Sequence, residues 1–305
     1  MRTIVFAFHY IRNDTYANPG IHPFSIDRFI DILTFCKNEG NILTPENFFE
    51  KKLENEKINF LFTFDDGLID HFRILPLMDQ FHVKGIFFIC SSYYRDKKLL
   101  NVHKIHHARS HIPEKIFRDY FFIKMDKLYF DYNKYKSSAN KFYSFDNPEN
   151  SLMKYLLNFI LDPNLIDELL FDISSDYKLN FDHIASQLYL NLDQIKMIKK
   201  KGHIIGLHSD THQNMTRFSE IESNKEIELN KNFFKEFDLS SKYKCFAFPY
   251  GREIALPRKL NNFRLNHDLD YCFSMEKKIN TNFYNKDNIY RFSPNNFHSI
   301  INQYI

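Results

Sequence analysis

Two adjacent aspartates, Asp65 and Asp66, close an apolar run and precede a glycine in the stretch FLFTFDDGLID, residues 60–70. Like charges side by side at a strand end are costly unless water, a cation or a hydrogen-bond network compensates them. Two histidines, His208 and His212, follow another apolar run in GLHSDTHQNMTRF. Imidazoles four apart, on one helical turn or a tight loop, can present nitrogens to one cation, with Ser209 or Thr211 fixing a tautomer. Alone, each pattern is weak: the chain has 14 histidines, and Asp is equally at home in a solvated loop or at a helix N-cap. Together, Asp66, His208 and His212 form a two-histidine, one-carboxylate set with open positions for water and substrate. That is the ligand type of a hydrolytic zinc site, and it also suits iron, cobalt or nickel. Asp65 is then left off the metal, placed as general base for a water whose pKa a cation lowers from about 15.7 towards about 7. A third feature is FAFPYG, residues 246–251, where Pro249 and Gly251 force a turn after a strand and leave the Tyr250 backbone N–H for an oxyanion. An ordinary strand-ending turn uses the same residues.

These residues need a frame. Apolar runs at 3–10, 58–64, 84–90, 203–209, 243–251 and 270–275 read as buried strands. Between them, residues 25–40 have helical spacing, with Ser25 and Asp27 at the start and Gly40 as punctuation at the end. Residues 68–82 read as helical, with Pro76 expected to kink or break them. Residues 219–237 open with Ser219 and Glu222 in capping-box spacing. Strands alternating with helices imply a parallel sheet or barrel whose C-terminal strand ends face the site. The segment from about 93 to about 190 breaks this rhythm and reads as a mostly helical insertion in a single domain spanning 1–305.

Composition narrows the classes further. A 305-residue chain with 44% hydrophobic residues can bury a large core. The net charge of +3 comes from dispersed Lys and Arg, which argues against a nucleic-acid partner. Cys36, Cys90, Cys245 and Cys272 lie far apart with no C-x-x-C pair, so they read as buried thiols rather than a zinc ribbon or disulfide scaffold. The N-terminus shows no cleavage pattern and no apolar run reaches ~18 residues, so the expectation is a cytoplasmic protein without a transmembrane segment.

TFDDG (63–67), HSDTH (208–212) and FPYG (248–251), in that order, resemble the motifs of the polysaccharide deacetylase family, also called NodB-homology or carbohydrate esterase family 4. The resemblance covers residues of about 3–91 and 203–292 and leaves the middle segment unmatched. It implies an α/β fold, a distorted (β/α) barrel of the NodB-homology type. It also implies a carbohydrate substrate and metal-dependent removal of an N-acetyl group from an amino sugar of a glycan or glycan precursor. Deformylation or O-acetyl ester hydrolysis on the same fold is the alternative chemistry, and a sugar-binding protein that has lost turnover is the rival reading. By motif matching, Asp65 takes the base position, Asp66, His208 and His212 the metal positions, and the Tyr250 backbone the oxyanion position, with Pro249 and Gly251 beside the substrate.

FHYI (8–11) resembles the first-strand pattern of the subgroup with a YPYG-type third motif, which puts His9 at the rim of the site. NVHKIHH (101–107) resembles a feature of sugar deacetylases, which makes His103 and Lys104 candidate substrate contacts; His103, His106 and His107 read equally as partly buried polar or solvated loop residues. The chain departs from the family where Phe246, Ala247 and Phe248 replace an expected Arg, and Arg291 in NIYRFSP is the candidate to orient the base. The late Leu-His motif is not recognisable. His298 matches it poorly, leaving His9 as the alternative general acid. Asp268 and Asp270 fit either an acidic fourth motif or a turn.

Overall fold

The computed structural model describes residues 2–52, 57–281 and 284–304. Two compact units divide the chain: Met1–Asp14, Pro23–Asp96 and Ser186–Ile305 form the first, Thr15–His22 and Lys97–Ala185 the second.

The first unit is built on a sheet of β1 (Arg2–Phe8), β2 (Gly40–Ile42), β3 (Ile58–Phe64), β4 (Gly85–Ile89), β5 (Ile204–Leu207), β6 (Cys245–Ala247), β7 (Tyr271–Phe273) and β8 (Asn280–Thr281). The order is β7-β6-β5-β4-β3-β1-β8, with β2 also paired to β3. Every pairing is parallel except the short antiparallel one of β1 with β8.

Strands buried on both faces read as continuous apolar runs, and all of INFLFTF in β3 is buried. Side chains alternate across a strand. Phe6, Phe8, Phe60, Phe62 and Phe64 therefore enter one core cluster with the helix residues Phe29, Ile32 and Leu33. Val5, Leu61, Ile86, Phe88 and Phe273 form another on the opposite face.

The sheet curls and closes through an irregular segment. Phe292 N–H donates to Val5 O (2.8 Å) and Ala7 N–H to Phe292 O (2.9 Å), while Ile289 N–H donates to Cys272 O (2.8 Å) and Ser274 N–H to Ile289 O (2.9 Å). Residues 289–292 thereby bridge β7 to β1, and the result is a distorted (β/α) barrel.

Helix Ile26–Glu39 starts where expected, with Ser25 Oγ accepting from Arg28 N–H. Gly40 ends the helix as its C-cap, its N–H donating to Cys36 O, without a left-handed turn. Its φ of −157° is extended, it opens β2, and a Cβ there would lie 2.4 Å from Ile58 O, so the glycine permits close strand approach. Residues 68–82 form two helices, Ile69–Arg73 and Leu75–Gln80. Pro76 sits in the first turn of the second, where its missing N–H costs nothing. The capping box of Ser219 and Glu222 opens helix Glu220–Glu236 with both reciprocal bonds.

The second unit is helical, with Asn101–His111, Glu114–Lys127, Pro148–Tyr155 and Pro163–Asp176 as its main elements. Phe117, Phe121, Leu152, Leu156, Leu169 and Ile173 are among its buried residues. It also takes in Thr15–His22, a membership with no signal in the hydrophobic pattern. All four cysteines are free and buried. Among the described residues, no helix is long and apolar enough to cross a membrane.

Candidate active site

The site lies at the C-terminal strand ends of the first unit. Asp65 continues the β1–β3 ladder by one residue, donating its N–H to Phe8 O (2.9 Å). In the phase of Leu61 and Thr63, its carboxylate meets Arg291. Nη1 lies 2.7 Å from Oδ1 and Nη2 2.9 Å from Oδ2. Arg291 also donates from Nη1 to Thr63 Oγ1 (3.0 Å) and from Nε to Ser274 O (3.2 Å). Its guanidinium lies over the Phe88 ring at 5.3 Å. Burial pushes the Asp65 carboxyl up. Arg291 foremost, then His208 and His9, more than reverse that push and hold it below the usual carboxylate value.

At Asp66 the backbone turns left-handed, with φ +74° followed by +66° at Gly67. This separates the two neighbouring carboxylates. Asp66 Oδ1 stands 3.3 Å from His208 Nε2 and 3.2 Å from His212 Nε2. The three ligand atoms lie within 4.8 Å of one another, and all three residues are buried.

His208 Nδ1–H donates to Ala247 O (2.7 Å), which fixes the tautomer and turns Nε2 towards Asp66. That Nε2 is buried and makes no well-formed hydrogen bond among the described residues. Two donors each about 2.1 Å from a tetrahedral cation stand about 3.4 Å apart, so the observed spacings fit a small divalent ion. Burial alone would lower the His208 pKa; Asp66 and Asp65 raise it overall.

The loop bearing both histidines is strained: Ser209 and His212 have φ of +61° and +58°. Sequence reasoning expected Ser209 or Thr211 to fix a histidine tautomer, and neither does. Ser209 Oγ accepts from His212 N–H (3.0 Å), Thr211 bonds Glu226, and the carbonyl of Ala247 orients His208. Asp210, 1% exposed, accepts from Ser91 Oγ (2.6 Å) and Arg95 Nη2 (2.9 Å). Glu226 and Asn230, both buried, hold the loop from below. The one available signal was two polar residues four apart, with Ile227 and Phe234, on the buried face of a helix already marked by its capping box.

Tyr250 and Gly251 also have positive φ, +62° and +59°. The Tyr250 ring centroid lies 5.2 Å from that of His212, and Pro249 is buried. His9, 42% exposed, places Nε2 3.8 Å from Asp65 Oδ2. Its carbonyl accepts from His71 Nε2–H (2.9 Å).

Asp268 pairs with Lys244, and Asp270 accepts from the Lys244 N–H. Neither appears among the Arg291 partners, which favours the turn reading. His298 is exposed on helix Phe297–Tyr304. His103 and Lys104 belong to the second unit, where His103 is buried and Lys104 pairs with Asp167.

This curled parallel sheet, closed into a distorted barrel with chemistry at its strand ends, has the fold of NodB-type deacetylases. The family model described as polysaccharide deacetylase matches residues 146–264. That stretch holds His208, His212 and the FPYG turn, but it leaves out Asp65 and Asp66. It also begins within the segment that the motif resemblance left unmatched.

Streptococcus pyogenes deacetylase PplD, solved in complex with acetate, aligns with a TM-score of 0.59 at 14% identity over 98% of this chain and 97% of its own. A de-N-acetylase from Aggregatibacter actinomycetemcomitans gives 0.59 at 13% over 100% of both chains. IcaB from Ammonifex degensii gives 0.53 at 12% over 98% of this chain and 95% of its own. Protein Ycf2 of Physcomitrium patens is 24% identical over 279 residues, covering 83% of this chain. The chain spans only 11% of that protein's length.

Proposed function

We propose that the chain is a metal-dependent hydrolase that removes an N-acetyl group from an amino sugar of a glycan or glycan precursor. One observation carries this reading: two carboxylates adjacent in sequence occupy different electrostatic settings. Asp65 is locked to Arg291, and Asp66 faces two imidazoles. The deacetylase family match over the histidine-bearing segment supports it.

In this mechanism Asp66, His208 and His212 would hold a divalent cation, zinc first, with cobalt, nickel or iron also suited. When bound, such an ion supplies Lewis acidity and lowers the pKa of water. Asp65, kept ionised by Arg291, takes the proton of the attacking water. The Tyr250 backbone N–H, on its left-handed turn, donates to the developing oxyanion, with Pro249 and Gly251 shaping the same edge. His9, partly exposed beside Asp65, protonates the leaving amine. A substrate role for Lys104 requires its pair with Asp167 to open. The helical unit is taken as an insertion in one catalytic domain.

The rival of a sugar-binding protein without turnover draws on the Arg missing before Pro249 and on the missing late Leu-His motif. Arg291, paired with Asp65 from far along the chain, speaks against the first ground and leaves the second. Acetate release from N-acetylhexosamine conjugates, measured alongside the metal content of the purified protein, tests the proposal. Asp65→Asn should lower turnover by roughly 10²–10⁴-fold; equal activity of variant and wild type with every metal tried would sink it. Product mass analysis separates loss of acetyl from loss of formyl.

A further inference from the structure

We infer that Glu226 and Asn230 are positioning residues for the two imidazoles: the buried helix face that carries them sets the HSDTH loop and, through it, the affinity of the site for a divalent cation. This rests on the reading of Asp66, His208 and His212 as cation ligands.

The pairing of β4 with β5 reaches Ile89 and Leu207, and His208 is the next residue. Its N–H is shared between Ile89 O (3.2 Å) and Asn230 Oδ1 (3.0 Å). Asn230 Nδ2 donates in turn to Ile89 O (3.2 Å). The amide thus ties the ends of both strands together at the point where His208 must project.

One helical turn earlier, Glu226 Oε2 accepts from the N–H groups of Asp210 (3.1 Å) and Thr211 (2.9 Å), and Oε1 accepts from Thr211 Oγ1 (2.8 Å). The two carboxylate oxygens therefore grip the middle of the loop, between the left-handed residues Ser209 and His212. Such backbone at non-glycine residues persists only where its surroundings over-determine it.

Glu226 is 9% exposed and forms no ion pair with Lys or Arg among the described residues. A buried carboxylate without a counter-cation is costly unless its hydrogen bonds compensate it. All the bonds found here come from the loop between the two histidines. Asn230, at 0% exposure, likewise spends both ends of its amide on the strand termini. Two buried polar side chains one turn apart, each satisfied by the backbone that presents a metal-binding imidazole, make up a support for the ligands.

Groups that orient metal ligands typically change metal affinity about 10–100-fold when removed. The test measures Zn²⁺ dissociation constants of the full chain by competition with a chromophoric chelator, and records Co²⁺ d–d spectra. Glu226→Ala should bind Zn²⁺ about 10–100-fold more weakly than wild type, with an altered Co²⁺ spectrum. Glu226→Gln, which keeps an oxygen for the two N–H groups, should retain most of the affinity. Thr211→Val removes only the hydroxyl donor and should weaken binding by a few-fold. It carries the test if Glu226→Ala fails to fold.

A folded Glu226→Ala, or failing that Thr211→Val, with wild-type affinity and spectrum overturns the inference, provided Asp66→Ala abolishes binding. If wild type itself binds neither Zn²⁺ nor Co²⁺, or binds them equally well as Asp66→Ala, the underlying metal reading fails and takes this one with it.

Discussion

Arg291 and Asp65 are 226 positions apart in the chain and meet through two parallel hydrogen bonds of 2.7 and 2.9 Å. Neither side chain is more than 2% exposed. The segment that closes the barrel between β7 and β1 brings the guanidinium there. The orientation of the candidate base therefore depends on closure of the sheet.

Replacing Arg291 by Met should leave Asp65 as an uncompensated buried charge. The expected loss is about 3–5 kcal/mol of stability, read by urea unfolding. The Asp65 pKa should rise, because the largest influence lowering it is gone and burial still raises it. The acid limb of the pH–rate profile should then move to higher pH. Arg291→Lys, which keeps the charge but not the two-pronged geometry, should fall between. Wild-type stability and an unmoved acid limb in Arg291→Met would show that the pair is incidental.

Asp66→Asn preserves volume and removes the charge that faces both imidazoles. After dialysis against trace zinc, the variant should retain far less metal than wild type by elemental analysis, while its circular dichroism is unchanged. His208→Gln should behave likewise. Equal metal content in wild type and both variants would place any bound ion elsewhere.

His203 gives a pH dependence independent of the site. Burial, followed by the charge of Lys84, lowers its pKa from 6.5 to about 4. In the fold, Nδ1 accepts from Gly85 N–H at 3.1 Å. As pH falls below 6.5 the unfolded chain takes up this proton first, so stability is full above that pH and is lost progressively down to about 4. The loss is at most roughly 3 kcal/mol. His203→Asn keeps an acceptor and does not titrate, so its unfolding free energy should vary less over this window. Parallel pH curves for the two proteins would refute the assignment.

Gly40 combines two uses in one residue, a helix C-cap and a close approach to β3. As helix punctuation it would tolerate Asn. As a close-approach residue it tolerates no side chain, because a Cβ would fall 2.4 Å from Ile58 O and 2.5 Å from the Phe60 ring. Gly40→Ala and Gly40→Asn should both destabilise by about 1–3 kcal/mol in chemical denaturation. A neutral Gly40→Asn would favour punctuation.

Much of the frame was legible in local pattern. The apolar runs that became β1, β3 and β4 announce themselves because strands covered on both faces need uninterrupted hydrophobicity. The break at Pro76 and the capping box at Ser219 follow from backbone chemistry within a few residues. By contrast, β2 and β8 are three and two residues long, too short to impose a period. The residues 15–22 that join the second unit carry no hydrophobic signature. Gly40 caps the helix as its position suggests, but its second use, close approach of a strand, shows only once the neighbouring strand is in place.

The sequence by itself determined the chemistry-bearing clusters: the aspartate pair, the two histidines and the Pro-Tyr-Gly turn, each set by residues within five positions of one another. The tertiary structure decided how the aspartates divide between Arg291 and the imidazoles. It likewise decided that Ala247, Glu226 and Asn230 support the histidines, and that His9 faces Asp65. Local periodicity reports which face of an element is buried. It carries no information on which strands become neighbours or where a sheet closes, and those long-range pairings assemble this site.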